Sequence, residues 1–264
     1  MNLRFGFSPC PNDTFAFDAL VHGRVEAPFA VTAAFHDIEE LNALAREGRY
    51  ELTKLSFGAL AGLRDRYTML RSGGALGRGC GPLVVAREPA SLAGAAAGRI
   101  AIPGWDTTAY LLLRLAAPEL GEVVEVRYDA ILGAVASGEV DAGLIIHESR
   151  FTYAEHGLVE VADLGAWWEA ETGMPVPLAA ICARADVAGE LRAAAEDAIR
   201  RSVEHAFAHP LDSRAYVRAH SQELSDDVCR RHIELYVNEF TRDLGDDGMA
   251  AIDALLARAA AAPA

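Results

Sequence analysis

The chain has 264 residues, of which 52% are hydrophobic and 23% are charged, and these ordinary proportions exclude a largely disordered protein. The formal net charge is −14, and no window supplies the basic stripe that nucleic-acid binding requires. No apolar run reaches the roughly 18–20 residues of a membrane span, so we expect neither a nucleic-acid nor a membrane partner.

Strand-like and helix-like segments alternate along the first third of the chain. The pattern predicts a strand at residues 3–8, a helix at 14–22, a strand at 29–35, a helix from Asp37 and a strand at 50–55. Ser56 then stands where the N-cap of another helix belongs. A glycine-rich run, residues 73–81, is predicted to be a loop before the chain enters a second unit.

The second unit repeats the alternation and ends in a return strand. We predict strands at residues 83–86, 99–103, 125–128 and 142–147, helices at 107–116 and 130–137, and the return strand at 174–182. Everything after Ala188 is helical in pattern, with breaks near Pro210 and Gly245. Such sequential βα units predict an α/β fold whose mixed sheets carry helices on both faces.

The predicted domain organisation is two-lobed and discontinuous. Residues 1–82 and 183–264 form the large lobe, and residues 83–182 form a small inserted lobe. The chain crosses between the lobes near Pro82 and Pro177, which we expect to act as hinges around a ligand cleft.

Four predicted strands end in small, polar or titratable residues, at positions 8–14, 54–58, 104–108 and 145–149. In open α/β sheets, ligands bind outside the carboxyl ends of the strands, where helix N-termini also point. These four segments are therefore the candidate site. Lys54, beside Leu55 and Ser56, offers a counter-charge for an acidic ligand.

Two of the segments have a structural interpretation beside the functional one. Asn12 and Asp13 either contact a ligand or simply cap the first helix. Thr107 and Thr108 open a helix whose free N–H groups favour a bound anion, and their hydroxyls can add two donors. A plain N-cap at Asp106 or Thr107 explains the same residues.

His147 follows a buried apolar strand, so it is expected at that strand's carboxyl end. An imidazole there can accept a proton near neutral pH, although a lone histidine is also common as a structural residue. Phe151 replaces the second histidine of a zinc-peptidase HExxH motif, and the four cysteines form no CxxC pair. We expect no metal, no cofactor and no disulfide.

Three segments together resemble one family, the 1,4-dihydroxy-6-naphthoate synthases of the futalosine route to menaquinone. They are residues 7–15 (FSPCPNDTF), 102–109 (IPGWDTTA) and 143–148 (GLIIHE), and the likeness runs from residue 3 into the helical C-terminus. The resemblance implies a fold similar to type II periplasmic binding proteins, with the ligand cleft between the lobes.

The same resemblance implies the reaction and the residues. The enzyme would be a lyase that converts cyclic dehypoxanthinylfutalosine, a carboxylate, to 1,4-dihydroxy-6-naphthoate with loss of a three-carbon fragment. His147 matches the family's proton acceptor, and the substrate-contacting segments correspond to residues 54–56 and to Thr107 and Thr108. Of these, Leu55 would contact substrate through its backbone.

Two other functions stay open from the sequence. One is the chorismate dehydratase of the same pathway, and the other is a solute-binding protein without catalysis. The start of the chain shows neither a signal-peptide pattern nor a lipobox cysteine, so we expect a cytoplasmic protein. The sequence leaves a homodimer open.

Overall fold

The computed structural model describes residues 1–222 and 225–261, which form two mixed β-sheets with helices packed against them. The strands of the first sheet are β1 (Asn2–Phe7), β2 (Ala30–Phe35), β3 (Leu52–Ser56), β4 (Tyr67–Met69), β5 (Ala75–Gly77) and β11 (Val176–Arg184). The strands of the second sheet are β6 (Leu83–Ala86), β7 (Arg99–Ile102), β8 (Glu122–Glu125), β9 (Ala142–Ile145) and β10 (Val159–Asp163).

Helices follow most strands and then make up the C-terminal part of the chain. They are α1 (Pro11–Val21), α2 (Ile38–Arg46), α3 (Phe57–Leu60), α4 (Leu92–Ala96), α5 (Thr108–Ala116), α6 (Ile131–Ser137), α7 (Ser149–Thr152), α8 (Leu164–Thr172), α9 (Gly189–Ala208), α10 (Arg214–His220), α11 (Asp226–Tyr236), α12 (Glu239–Arg242) and α13 (Gly245–Ala261). Among these described helices, none has both the length and the apolar character of a bilayer span.

Each sheet combines parallel and antiparallel pairs, as the sequence predicts. The first sheet has the order β2-β1-β3-β11-β4, with β5 also paired to β11. Here β1 is parallel to β2 and β3, whereas β11 is antiparallel to all its neighbours. The second sheet has the order β10-β6-β9-β7-β8. The carboxyl ends of β1, β3 and β9 meet where the two sheets face each other, at the cavity described below.

Strand pairing corrects one boundary of the predicted lobes. The predicted junction between residues 182 and 183 falls inside β11, which pairs with β3, β4 and β5 along its length. Because its hydrogen bonds all go to the first sheet, β11 belongs entirely to the large lobe. The second crossing therefore lies before Val176, whereas the first crossing lies just before β6, at Pro82.

The largest apolar core runs through both lobes. Leu55 and Ala180 of the first sheet share it with Ile100 and Leu144 of the second. Two further cores lie under single sheets, one around Phe5 beneath α1 and α9 and the other beside α6. The two sheets are thus joined by buried apolar surface as well as by the two crossings of the chain.

Some predicted elements are displaced in the structure. The strand predicted at residues 125–128 is β8, three residues earlier, because β8 pairs in register with β7 from Arg99 to Ile102. Helix α1 begins at Pro11, with Cys10 as its N-cap, so neither Asn12 nor Asp13 is the cap. The glycine-rich run predicted as a loop contains the short strand β5.

Candidate active site

The candidate active site is a cavity between the two sheets. Its volume is about 70 Å³, far below the roughly 300–1,000 Å³ of pockets that enclose a drug-sized ligand. The polar lining residues come from both lobes and from the C-terminal helices: Ser8, Asn12, Lys54, Ser56, Thr107, Thr108, His147, His232 and Tyr236. The cavity must therefore widen before a ligand with two fused rings can enter.

A buried ion pair forms one wall of the cavity. Lys54 Nζ lies 2.5 Å from Asp13 Oδ1, and both side chains are nearly inaccessible to solvent. The Asp13 carboxylate also accepts hydrogen bonds from the backbone N and the hydroxyl of Ser8 and from Asn12 Nδ2. A buried charge needs such partners to offset its lost hydration. Asp13 thus holds the Lys54 ammonium at the cavity rather than lining the cavity itself.

Ser56 is fixed by a neighbouring helix. Its backbone N donates to Asn42 Oδ1 over 3.0 Å, and its hydroxyl accepts from Asn42 Nδ2 over 3.2 Å. Ser56 occupies the predicted N-cap position, but its side chain makes no capping bond to α3. The hydroxyl proton of Ser56 remains available toward the cavity that the residue lines.

The start of α5 forms another part of the lining. Thr107 is its N-cap, as one interpretation of the sequence predicts, and its hydroxyl accepts from Tyr110 N and donates to Gly104 O. The Thr108 hydroxyl donates to Leu178 O. Because each hydroxyl has one proton, these two threonines are not the hydroxyl donors that the sequence suggested. The N–H groups of Thr108 and Ala109 at the helix start remain for an anion.

His147 has an unusual backbone conformation. Its φ of 57° makes it the one non-glycine residue with positive φ in the described ranges. That region is uncommon for residues with a Cβ and costs of order 1–3 kcal/mol, so it persists only where the surroundings enforce it. The residue lies two positions after β9 and turns the chain toward α7, which brings its ring to the cavity.

The His147 ring has the features of a neutral proton acceptor. Its Nε2 is buried and has no hydrogen-bond partner among the described residues. The ring packs edge-on against Tyr128, with centroids 5.2 Å apart. Burial, and secondarily the charge of Lys54, lower the pKa of His147 to about 3. The imidazole is therefore uncharged at neutral pH and can accept a proton.

Three potential metal ligands also meet here, which the sequence did not predict. One ligand atom each from Cys10, His147 and Glu148 lie within 4.8 Å of one another. Burial, followed by the charge of Glu148, holds the pKa of the Cys10 thiol well above its usual value. The protonated thiol and the nearby Lys54 ammonium both disfavour a divalent cation. The donor set thus fits a metal poorly.

The cavity brings together six of the eight residues predicted from the sequence: Asn12, Lys54, Ser56, Thr107, Thr108 and His147. Asp13 lies behind Lys54. The Leu55 side chain is fully buried in the shared core, and its backbone faces Ala180 in the sheet, so its position does not support substrate contact. What each residue does to a substrate stays a prediction.

Two polar lining residues, His232 and Tyr236, lie outside the four segments that the sequence singled out. Both lie on the buried face of α11, together with Val228 and Cys229. A histidine on the apolar face of an amphipathic helix was the available signal. Nothing in the local sequence indicates that this face meets the cavity.

Comparisons with known proteins agree with this architecture. The sequence profile of a family described as menaquinone biosynthesis matches residues 3–261. The fold resembles that of a Candida albicans protein with the generic periplasmic-binding-protein fold, at a TM-score of 0.72 and 11% identity, covering 99% of this chain and 90% of that one.

Two relatives match nearly the full length. A 1,4-dihydroxy-6-naphthoate synthase of Thermus thermophilus is 59% identical over 98% of this chain and 94% of its own. A 1,4-dihydroxy-6-naphthoate synthase of Streptomyces coelicolor is 49% identical over 98% of this chain and 93% of its own.

Proposed function

The chain belongs to the menaquinone-biosynthesis family, and we propose that it catalyses the formation of 1,4-dihydroxy-6-naphthoate in that pathway. The observation that carries this proposal is the 59% identity to a synthase of that product over 98% of the chain. The cavity supports it independently, because an uncharged histidine and an anion-binding helix start face one space between two lobes.

The substrate we propose is cyclic dehypoxanthinylfutalosine, which loses a three-carbon fragment as its ring system becomes aromatic. Its carboxylate binds at the start of α5, where the N–H groups of Thr108 and Ala109 and the helix dipole favour negative charge. The ammonium of Lys54, held by Asp13, adds positive potential on the facing wall. Together these groups orient the ring system toward His147.

The chemistry begins with proton removal by His147. Its pKa is low in the empty cavity, and the anionic substrate raises it as it binds, because negative charge nearby stabilises the imidazolium. Proton removal allows a carbon–carbon bond of the sugar-derived ring to break, and aromatisation of the naphthalene core supplies the driving force. Closure of the lobes excludes water and aligns the base with the reacting atoms.

A turnover assay with the purified chain tests this function. When it is mixed with cyclic dehypoxanthinylfutalosine, the protein is expected to release the naphthoate. The product is detected by its absorbance and by mass spectrometry. The assay is repeated after treatment with a chelator, and the rate is expected to stay the same because the proposed steps need no metal. Binding of this substrate without product formation would contradict the proposal and favour a solute-binding protein.

Chorismate is the second substrate to include. Loss of water from chorismate, with no naphthoate formed from the cyclic compound, would indicate the dehydratase of the same pathway instead.

We also propose a cytoplasmic location, which the four free, buried cysteines support. Antibody against the chain is expected to label lysed cells and not intact ones, which checks that location.

A further inference from the structure

A second histidine borders the cavity on the wall formed by the C-terminal helices. His232 lies in α11 and is only 1% exposed, yet its side chain is among those that line the cavity. His147 reaches the same cavity from the second sheet, so the two imidazoles come from elements far apart in sequence. Their ring centroids are 6.3 Å apart and the rings are roughly perpendicular.

Both rings carry an unsatisfied nitrogen. Nδ1 of His232 and Nε2 of His147 are buried and have no hydrogen-bond partner among residues 1–222 and 225–261. Leaving a buried polar atom unpaired costs about 1–3 kcal/mol, so such atoms need an explanation. His232 is otherwise surrounded by rings, with Tyr236 at 4.7 Å and Phe151 at 6.3 Å between centroids.

The charge state of His232 limits what it can do. Burial, followed by the charges of His147 and Lys54, holds the pKa of His232 well below its usual value. A neutral imidazole has one N–H donor and one acceptor nitrogen. With Lys54 already charged beside it, the cavity disfavours a second permanent cation. His232 is therefore suited to donating a hydrogen bond and unsuited to supplying a positive charge.

We propose that His232 is a second catalytic residue, whose ring N–H donates a hydrogen bond to the substrate oxygen that becomes negative when His147 removes a proton. This inference rests on the proposed function. In the proton-transfer step, the bond between the substrate and its acidic proton breaks, and the proton moves to His147. The electron pair passes through the substrate to an oxygen of its ring system, while His232 stays neutral and keeps its own proton.

The geometry fits a donor of this kind. The two imidazoles line one narrow space and their centroids are only 6.3 Å apart, so a substrate edge that contacts both can present its acidic position to one and an oxygen to the other. Removal of a single preorganised donor to a developing oxyanion typically lowers kcat by about 10²–10³-fold. The purely structural alternative is that His232 only packs against Tyr236.

A matched set of variants separates the two roles. His232→Leu keeps the apolar volume but removes the N–H, whereas His232→Gln keeps an N–H donor on a side chain of similar reach. We expect His232→Leu to lower kcat by about 10²–10³-fold with little change in KM, and His232→Gln to recover at least about ten-fold of that loss. His220→Leu is the control, because His220 stacks on Phe35 away from the cavity. The kcat of this variant should equal that of the unchanged chain.

The outcomes are distinct. If both His232 variants melt at lower temperature but turn over substrate at the rate of the unchanged chain, the residue is structural and the proposal is wrong. If the unchanged chain itself forms no naphthoate, the proposed function fails before His232 is tested.

A measurement on the unchanged chain covers the case in which His232→Leu does not fold. With ¹⁵N-labelled histidine, binding of the product naphthoate should shift the His232 ring signals and slow exchange of its ring proton. Ring signals of His232 that do not respond to saturating naphthoate would overturn the proposal.

Discussion

His147 is strained at its backbone and unpaired at its ring, and the two features have one cause. A positive φ turns the chain after β9 so that the imidazole points into the cavity. Such a turn after an apolar strand costs free energy twice, because the backbone is strained and a polar atom is buried. Under the proposed function the substrate supplies the missing partner, and both costs are then tolerated.

Replacement of this residue by asparagine isolates the imidazole. Asparagine tolerates positive φ better than most residues, so His147→Asn should keep the backbone turn. We expect kcat to fall by roughly 10²-fold or more while substrate binding changes little, because the base is lost and the anion site is not. Steady-state kinetics and calorimetric titration measure the two effects.

The control for that experiment is His156→Asn, an exposed position in the same lobe. It should match the unchanged chain in both measurements. Full turnover by His147→Asn would show that another group takes the proton.

The two histidines that line the cavity also make stability depend on pH. Burial lowers the folded-state pKa of His147 and His232 below 6.5, so as pH falls the unfolded chain binds protons first. Their contribution to stability is thus complete above about pH 6.5 and is lost below it, by up to about 2 kcal/mol per histidine near pH 5. Urea unfolding at several pH values measures this loss.

Single variants assign the loss to these residues. His147→Asn and His232→Gln should each flatten the fall in unfolding free energy between about pH 6.5 and 5. His156→Gln, which removes an exposed imidazole, should leave the slope unchanged. Equal slopes in all the variants would mean that neither His147 nor His232 is neutral in the folded chain.

At the scale of elements, the close approach of α3 to the start of α5 sets the position of the proposed anion site. A Cβ on Gly58 would lie 2.6 Å from Asp106 O and 2.9 Å from Thr107 O. These atoms are backbone and cannot rotate away. Gly58 therefore lets α3 of the large lobe contact the loop before α5, and the Thr108 hydroxyl accepts from Phe57 N at the same place.

An added methyl group should push the two elements apart. We expect Gly58→Ala to raise KM by about ten-fold and to destabilise the chain by about 1–3 kcal/mol, because the start of α5 must move. Gly62→Ala is the matched control, since its Cβ would meet only Ala59 O at 3.8 Å. An unchanged KM in Gly58→Ala would mean that the anion is held elsewhere than at α5.

An element could be predicted from the sequence where the signal for it is local. The strand at β6 and the N-cap at Thr107 agree with the structure, because an apolar run and a capping residue are local signals. The position of β8 depends on its pairing with β7, and the lobe of β11 depends on its pairing with β3. His232 reaches the site through the tertiary path of α11, which no local pattern contains.

At the scale of the molecule, the site is built from segments that no single lobe holds. Lys54 lies in the first sheet and Ser8 directly follows its strand β1. Thr108 and His147 come from the second unit, and His232 comes from the C-terminal helices. The resemblance of widely spaced motifs could predict most of this set. The cavity is narrow and one apolar core is common to both sheets, so the two sheets close over the cavity. Only the folded chain reveals this closure.

A site closed from two sides should respond to its ligand on both sides. We expect saturating 1,4-dihydroxy-6-naphthoate to slow amide hydrogen exchange by about ten-fold or more in two segments. One is residues 8–14, between β1 and the first turn of α1, and the other is residues 104–109, which lead into α5. The first segment holds Lys54 through Asp13, and the second contains the N–H groups that we propose bind the carboxylate. Exchange in α10, which does not line the cavity, is the internal control and should not change. Protection confined to one of the two segments would show that the ligand occupies a single lobe, and the proposed closure around it would then be wrong.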